Sequence, residues 1–299
     1  MSKKIVSLFL ALLMAVSMTA AMAQTVTVTD MFDREVTLTG PVTRIVALEP
    51  SDCEILCALG AEDTLIGRGE YCNYPESILS VPSVQSGAET NIEQILALQP
   101  QVVLMNAMAQ SAEGVQALEN AGVKVVVSDA DDIAGTYISI RLIGALLDKS
   151  AEAEALIADM QATFDDIAAK SESIGKNIYF EVSPLEWGLW TAGANTFMNE
   201  LATMCGLTNA FADVDGWAEV SEEQVILRDP DYIATITMYY GEGPTPEEEI
   251  LGRAGWQSIK AIANGNVLAI DSDSFSRPGP RLKDAAMALF DFVSSEPAA

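Results

Sequence analysis

Two stretches of this chain, 130 residues apart, follow one plan. Residues 91–103 read NIEQILALQPQVV, and residues 221–233 read SEEQVILRDPDYI. Each opens on a residue suited to cap a helix, Asn91 or Ser221. Glu93-Gln94 and Glu223-Gln224 follow in matching places, then apolar pairs such as Ile95 with Val225 and Leu96 with Ile226. Pro100 or Pro230 then ends the helix, and Val103 or Ile233 sits in an apolar run beyond it. A unit of short helix, breaker and buried strand occurring twice requires a fold with two similar halves.

The flanking segments extend both copies. Before the first copy, Thr25–Leu38 alternates like an edge hairpin, and Arg44–Leu48 is a compact apolar strand. A helix over Asp52–Leu59 is expected next, capped by Ser51 and closed by Gly60. After the first copy come a helix over Ser111–Ala121 and a strand over Val123–Val127. The same alternation restarts with a strand at Asn177–Val182 and a helix at Asn195–Met204, closed by Gly206. It ends with a strand at Val267–Ile270 and a helix at Leu282–Val293. Glu54 and Gly60 have counterparts in Glu200 and Gly206. Between the halves, residues 133–174 carry helical periodicity, which Asp148–Ser150 can interrupt.

The expected fold is therefore α/β: two Rossmann-like lobes with central parallel sheets, joined by one long α-helix, with a ligand cleft between the lobes. The expected boundaries are residues 24–132 for the first lobe, 133–174 for the linking helix and 175–299 for the second lobe. Ligands bind beyond the carboxyl ends of such strands. The expected cleft walls are residues 49–51, 71–74, 86–90, 105–108, 183–190, 237–243 and 271–281.

Residues 1–23 read as a secretory signal peptide: basic Lys3-Lys4, an apolar run from Ile5 to Val16, and Ala21-Met22-Ala23 before the cleavage point. No cysteine follows that point directly, so a lipid anchor is not expected, and no later segment reads as transmembrane. A periplasmic monomer is the expectation. The formal net charge is −27, more negative still without Lys3 and Lys4, which argues against nucleic acid or anionic lipid as partner. The chain has no histidine, so a Ser-His-Asp triad, a Cys-His pair and a His-ligated metal or haem are excluded. Neither a cofactor nor a protein-held metal is expected. Of the four cysteines, Cys53 and Cys57 share a helical face and read as buried thiols, and Cys72 and Cys205 have no assignable partner.

RIVALEPSDCEILCALGAEDTLIG, CNYPE, NIEQILALQPQVVL and SRPGPRL, in that order, resemble the periplasmic proteins that carry ferric siderophores and cobalamin to ATP-driven importers. The resemblance runs from about Pro41 to Val293. It implies that Glu93 and Glu223 dock on the dimeric permease, one from each lobe. It also implies that Tyr74, Trp190 and Trp217 stand where cobalamin-type binders put aromatics, and that Arg277 reaches into the cleft. Trp187 and Tyr239-Tyr240 add flat apolar surface suited to a large chelate. The guanidinium of Arg277, and that of Arg281 beside it, could hold an anionic group bidentately or pair with an acid. Glu49 places an acid near the cleft and could itself pair with Arg277. The expected function is binding of an iron-siderophore or related metal chelate, with a corrinoid as the alternative. An exported chelatase- or hydrolase-like enzyme and a sensor or adhesion module are the readings from other classes, but no nucleophile motif or singled-out carboxylate pair supports catalysis.

Overall fold

The computed structural model describes residues 25–295 except 88, 110, 174, 238–240 and 242. The signal peptide and Tyr239 thus lie outside the described residues. Within them no helix is long and apolar enough to cross a membrane.

Two parallel sheets carry the two halves. The first contains β3 (Ile45–Ala47), β4 (Leu65–Gly69), β5 (Ser83–Val84), β6 (Val102–Met105) and β7 (Lys124–Val127), in the order β5-β4-β3-β6-β7. The second contains β8 (Asn177–Glu181), β10 (Thr208–Asn209), β12 (Tyr232–Thr235) and β13 (Val267–Ala269), in the order β10-β8-β12-β13. Setting β8 on β3 and β12 on β6 gives both sheets one topology, so the repeat seen in sequence is a repeat of fold. β3, β6, β8 and β12 are almost wholly buried, as strands covered by helices on both faces must be.

The N-terminal hairpin, β1 (Thr25–Thr29) with β2 (Glu35–Thr39), is antiparallel as expected. Asp30 organises its turn by accepting from the Phe32 and Arg34 amides, and its other oxygen accepts from the Val127 amide at the end of β7. A second antiparallel pair, β9 (Leu189–Ala192) with β11 (Trp217–Val220), follows β8 and has no counterpart among the described residues of the first half.

The repeated unit folds alike in both copies. Helix α2 (Ile92–Ala97) is capped by Asn91, whose side chain accepts from the Gln94 amide. Helix α7 (Glu222–Arg228) is capped by Ser221, which accepts from the Gln224 amide in a full capping box. Each helix ends on a left-handed residue directly before the proline, Gln99 (φ 52°) or Asp229 (φ 45°). Two other helix starts differ from expectation. Helix α1 (Pro50–Ala58) begins at Pro50 with Glu49 at its N-cap, because proline's fixed φ suits a first helical position better than Ser51's hydroxyl suits a cap there. Helix α6 (Phe197–Met204) is capped by Thr196, while Asn195 stands at φ 60° outside it.

The linking segment is not one rod. It forms α4 (Ile133–Leu146) and α5 (Ser150–Lys170), separated at Leu147–Lys149, where Asp148 is left-handed (φ 56°). Arg141 pairs with Glu154, and Gly144 lies against Ala153, so the two helices run antiparallel. Helix α4 packs on β1 and α1 of the first half, and α5 packs on α6 and on the last helix, α11 (Leu282–Ser294). One apolar core therefore runs from Ile45 and Leu56 through Ile143, Ile157 and Met160 to Phe197 and Leu289. The opposite face of each sheet has a separate core, around Val103 and Leu118 in one half and Tyr179 and Trp256 in the other.

Candidate functional site

The carboxyl ends of the strands in both halves converge on one cleft. Two adjoining cavities occupy it. The larger, about 520 Å³, takes Glu70, Tyr71 and Asn73 from the end of β4 and Thr237, Ile270, Asp271 and Asp273 from the second half. The smaller, about 420 Å³, is walled by Val182, Pro184, Trp187 and Ile236. Thr237 and Ser272 line both, so they form one space of the size that ligand clefts occupy. Four of the segments expected as walls supply these residues.

Of the aromatic side chains expected or found near the cleft, Trp187 and Tyr71 line the two cavities, and Tyr74, Trp190 and Trp217 line neither. Trp187, in the turn after β8, is 70 % exposed and Tyr71 is 63 % exposed. Exposed apolar side chains are informative where they gather on one surface, as these two do at the cleft. Trp190 and Trp217 also remain substantially exposed. In the β9–β11 register Trp190 opposes Glu219 and Trp217 opposes Ala192, so both indoles lie on one face of the pair. Phe197 packs against Trp217 at a ring separation of 5.5 Å. Tyr74 is half-exposed, and the Arg281 guanidinium lies 4.2 Å from its ring centre.

Arg277 takes the acid-paired of its two expected arrangements. It lines the cleft, yet its guanidinium donates to Glu54 (3.1 Å), Asn73 (2.8 Å), Asp273 (2.6 Å) and the Tyr71 carbonyl (3.2 Å). Arg281 donates bidentately to the same Glu54, at 3.0 and 2.8 Å, and to Asp271. Burial draws the Arg281 pKa down, but the Glu54 carboxylate outweighs it and the value is raised. Glu54, itself buried, is the acid to which both arginines are tied. These bonds join the loop after β4 to the segment between β13 and α11 and latch the two halves at the cleft floor. Glu200, the counterpart of Glu54, accepts from the Ile133 amide at 2.7 Å where the chain leaves the first half.

Glu49 does not take Arg277 as a hydrogen-bond partner among the described residues. Burial, then the nearby Asp129 charge, pushes its pKa up to about 7, with Arg277 offsetting part of the rise. Asp52, in the first turn of α1, is fully buried, and neither oxygen has a hydrogen-bond partner of good geometry among the described residues, the Ser128 side chain being the polar group nearby. Burial raises its pKa to about 8, the Ser128 hydroxyl opposing and the Glu49 and Asp129 charges adding. Among the described residues, the cleft wall carries Glu70, Glu186, Asp271 and Asp273 against Arg277.

Glu93 and Glu223 line neither cavity, and each is exposed in the first turn of its repeat helix. From residue 92 to residue 98, and again from 222 to 228, the sequence of exposed, half-buried and buried positions is the same. The Glu223 carboxylate is held below its usual range by its own backbone amide and the Ser221 hydroxyl.

Comparisons with known proteins agree with this geometry. The periplasmic binding protein family model matches residues 45–274. The chain is 32 % identical over 275 residues to an ABC transporter substrate-binding lipoprotein of Bacillus subtilis, YvrC, covering 90 % of this chain and 85 % of that one. It is 27 % identical over 252 residues to the vitamin B12-binding protein of Pectobacterium carotovorum, covering 82 % and 86 %. A crystal structure of a possible iron-binding periplasmic solute-binding protein from Staphylococcus epidermidis superposes with a TM-score of 0.72 at 29 % identity, covering 84 % of this chain and 98 % of that one.

Proposed function

This chain belongs to the periplasmic binding protein family, and from that premise we propose that it holds a metal chelate in its cleft and hands it to a membrane permease. It is the substrate-binding protein of an ABC transporter, acting outside the cytoplasm. The observation that carries the docking part is the matched exposure of the two repeat helices. Each half presents one carboxylate, Glu93 or Glu223, at the same place on the same unit. A two-fold partner with a basic pocket on each subunit would meet one carboxylate from each half, and such charge pairs set orientation and encounter rate. Replacing both glutamates by alanine is expected to abolish uptake in cells while leaving ligand affinity unchanged. Unimpaired uptake would remove them from the docking role.

The chelate is a siderophore complex of iron or a corrinoid, and the cleft favours a neutral or cationic species. Among the described residues, its lining arginine is engaged by protein acceptors, and four acids share the wall with it. A tris-catecholate complex would meet repulsion here, whereas the exposed Tyr71, Trp187, Trp190 and Trp217 suit a broad apolar face. The corrinoid reading gains from this, and a relative named for vitamin B12 points the same way. Titration of the purified protein with cobalamin, a ferric hydroxamate and a ferric catecholate, followed by absorbance and tryptophan fluorescence, tests it. Corrinoid binding without catecholate binding is expected. Tight catecholate binding would overturn the charge argument. The mature chain acts outside the cytoplasm, and because one relative is a lipoprotein, fractionation of cells into membrane and soluble extracytoplasmic material tests whether it is anchored or free.

A further inference from the structure

Cys53 and Cys72 are brought together by the fold from two different elements. Cys53 lies in the first half of α1, and Cys72 lies in the loop after β4 that forms one wall of the cleft. Both are completely buried. Both thiols point at one backbone oxygen: Cys53 Sγ is 3.7 Å and Cys72 Sγ 3.9 Å from the Ala47 carbonyl. The Cys72 thiol beside it, together with burial, pushes the Cys53 thiol well above its ordinary pKa. Cys57 cannot compete for Cys53, because residues four apart on a helix hold their Cβ atoms farther apart than a disulfide allows. Cys205 is in the other half, with its thiol on the Ala286 carbonyl.

We propose that Cys53 and Cys72 form a disulfide in the exported protein, made during folding and then buried. The oxidant is a disulfide-bearing thiol oxidase or a low-molecular-weight disulfide, as oxidising compartments supply. One cysteine thiolate attacks the oxidant's disulfide, giving a mixed disulfide and releasing one oxidant thiol. The other cysteine then displaces the second oxidant thiol, forming the Cys53–Cys72 bond. Two protons leave the cysteines, and their two electrons reduce the oxidant to its dithiol form. Once closed, the bond lies where neither sulfur meets solvent, which protects it from exchange. Its consequence is local to the cleft. Helix α1 carries Glu54, and the loop carries Tyr71 and Asn73; all three accept from Arg277. The crosslink makes those acceptors one covalent unit, so the first half presents a rigid socket to the latch.

The full chain, exported with its own leader and purified from the periplasm without reductant, is unfolded and treated with N-ethylmaleimide. Two of the four cysteines are expected to react, and tryptic peptides separated by cleavage at Arg68 are expected to remain joined. Cys57→Ser retains the joined peptides if Cys53 is the partner. Reductant lowers the melting temperature of the wild type by about 5 °C or more, and leaves Cys53→Ala/Cys72→Ala unmoved. Four alkylated cysteines in the exported protein, or loss of the joined peptides in Cys57→Ser, would overturn the assignment. The alkylation result on the wild type decides the matter even if the double variant fails to fold.

Discussion

Asp52 is the residue with the sharpest energetic consequence. It sits in the first turn of α1, where a carboxylate is normally favoured by the helix dipole, yet it is buried and no hydrogen bond of good geometry reaches it among the described residues. Burial wins, and its pKa rises to about 8, with Glu49 beside it at about 7. Both groups hold a proton more tightly folded than unfolded. Their contribution to stability is therefore greatest below about pH 4, the unfolded carboxylate range, and it declines with rising pH until the folded values are passed. Asp52→Asn does not titrate, so its stability relative to the wild type should climb through that window by up to about 1.4 kcal/mol per pH unit. Urea unfolding at about pH 5 and about pH 8 measures this, and a difference independent of pH would show that Asp52 is ionised in the fold. None of this could be read in the sequence, where Asp52 is one acid among many. Glu93 and Glu223 could be, because a first-turn position two residues past a cap is set locally.

At the scale of elements, the helix–helix turn between α4 and α5 decides how the halves are joined. A Cβ on Gly144 would stand 2.6 Å from the Ala153 Cβ and 3.2 Å from the Lys149 carbonyl oxygen. Gly144→Val should force the pair apart and destabilise the fold by about 1–3 kcal/mol, read as a lower urea midpoint with an unchanged far-UV spectrum. A neutral result would mean that the two helices separate without loss. The sequence showed the helical period of this segment and the interruption at Asp148–Ser150, but not that the chain reverses there, because period says nothing of direction. The caps at Asn91 and Ser221 were legible for the opposite reason, since each is a contact within three residues. The β9–β11 pair escaped notice: its four-residue strands are separated by a helix and a further short strand, and their pairing is long-range.

For the whole molecule, the latch at the cleft floor sets the relation of the two halves. Glu54 holds Arg277 and Arg281 from 223 and 227 residues further along the chain. Glu54→Ala would leave two largely buried guanidinium groups without their shared acid, a loss of about 3–5 kcal/mol. The variant should also widen the cleft, seen as an increased radius of gyration in X-ray scattering, while Glu93→Ala should change neither quantity. An unchanged radius with lowered stability would confine Glu54 to a packing role. The matching contact of Glu200 with the Ile133 amide joins the halves at the other crossing of the chain, so equivalent carboxylates serve both crossings.

The sequence by itself determined two similar α/β halves, the strand ends that face the cleft, and the pair of outward glutamates. Those follow from period, caps and breakers, which act over a few residues. The tertiary structure alone decided that Arg277 is held by protein acceptors, that Asp52 is buried, that two cysteines meet, and that the linker folds back on itself. Each of those depends on groups brought together by packing from distant or oppositely running parts of the chain, and no local pattern encodes such a meeting.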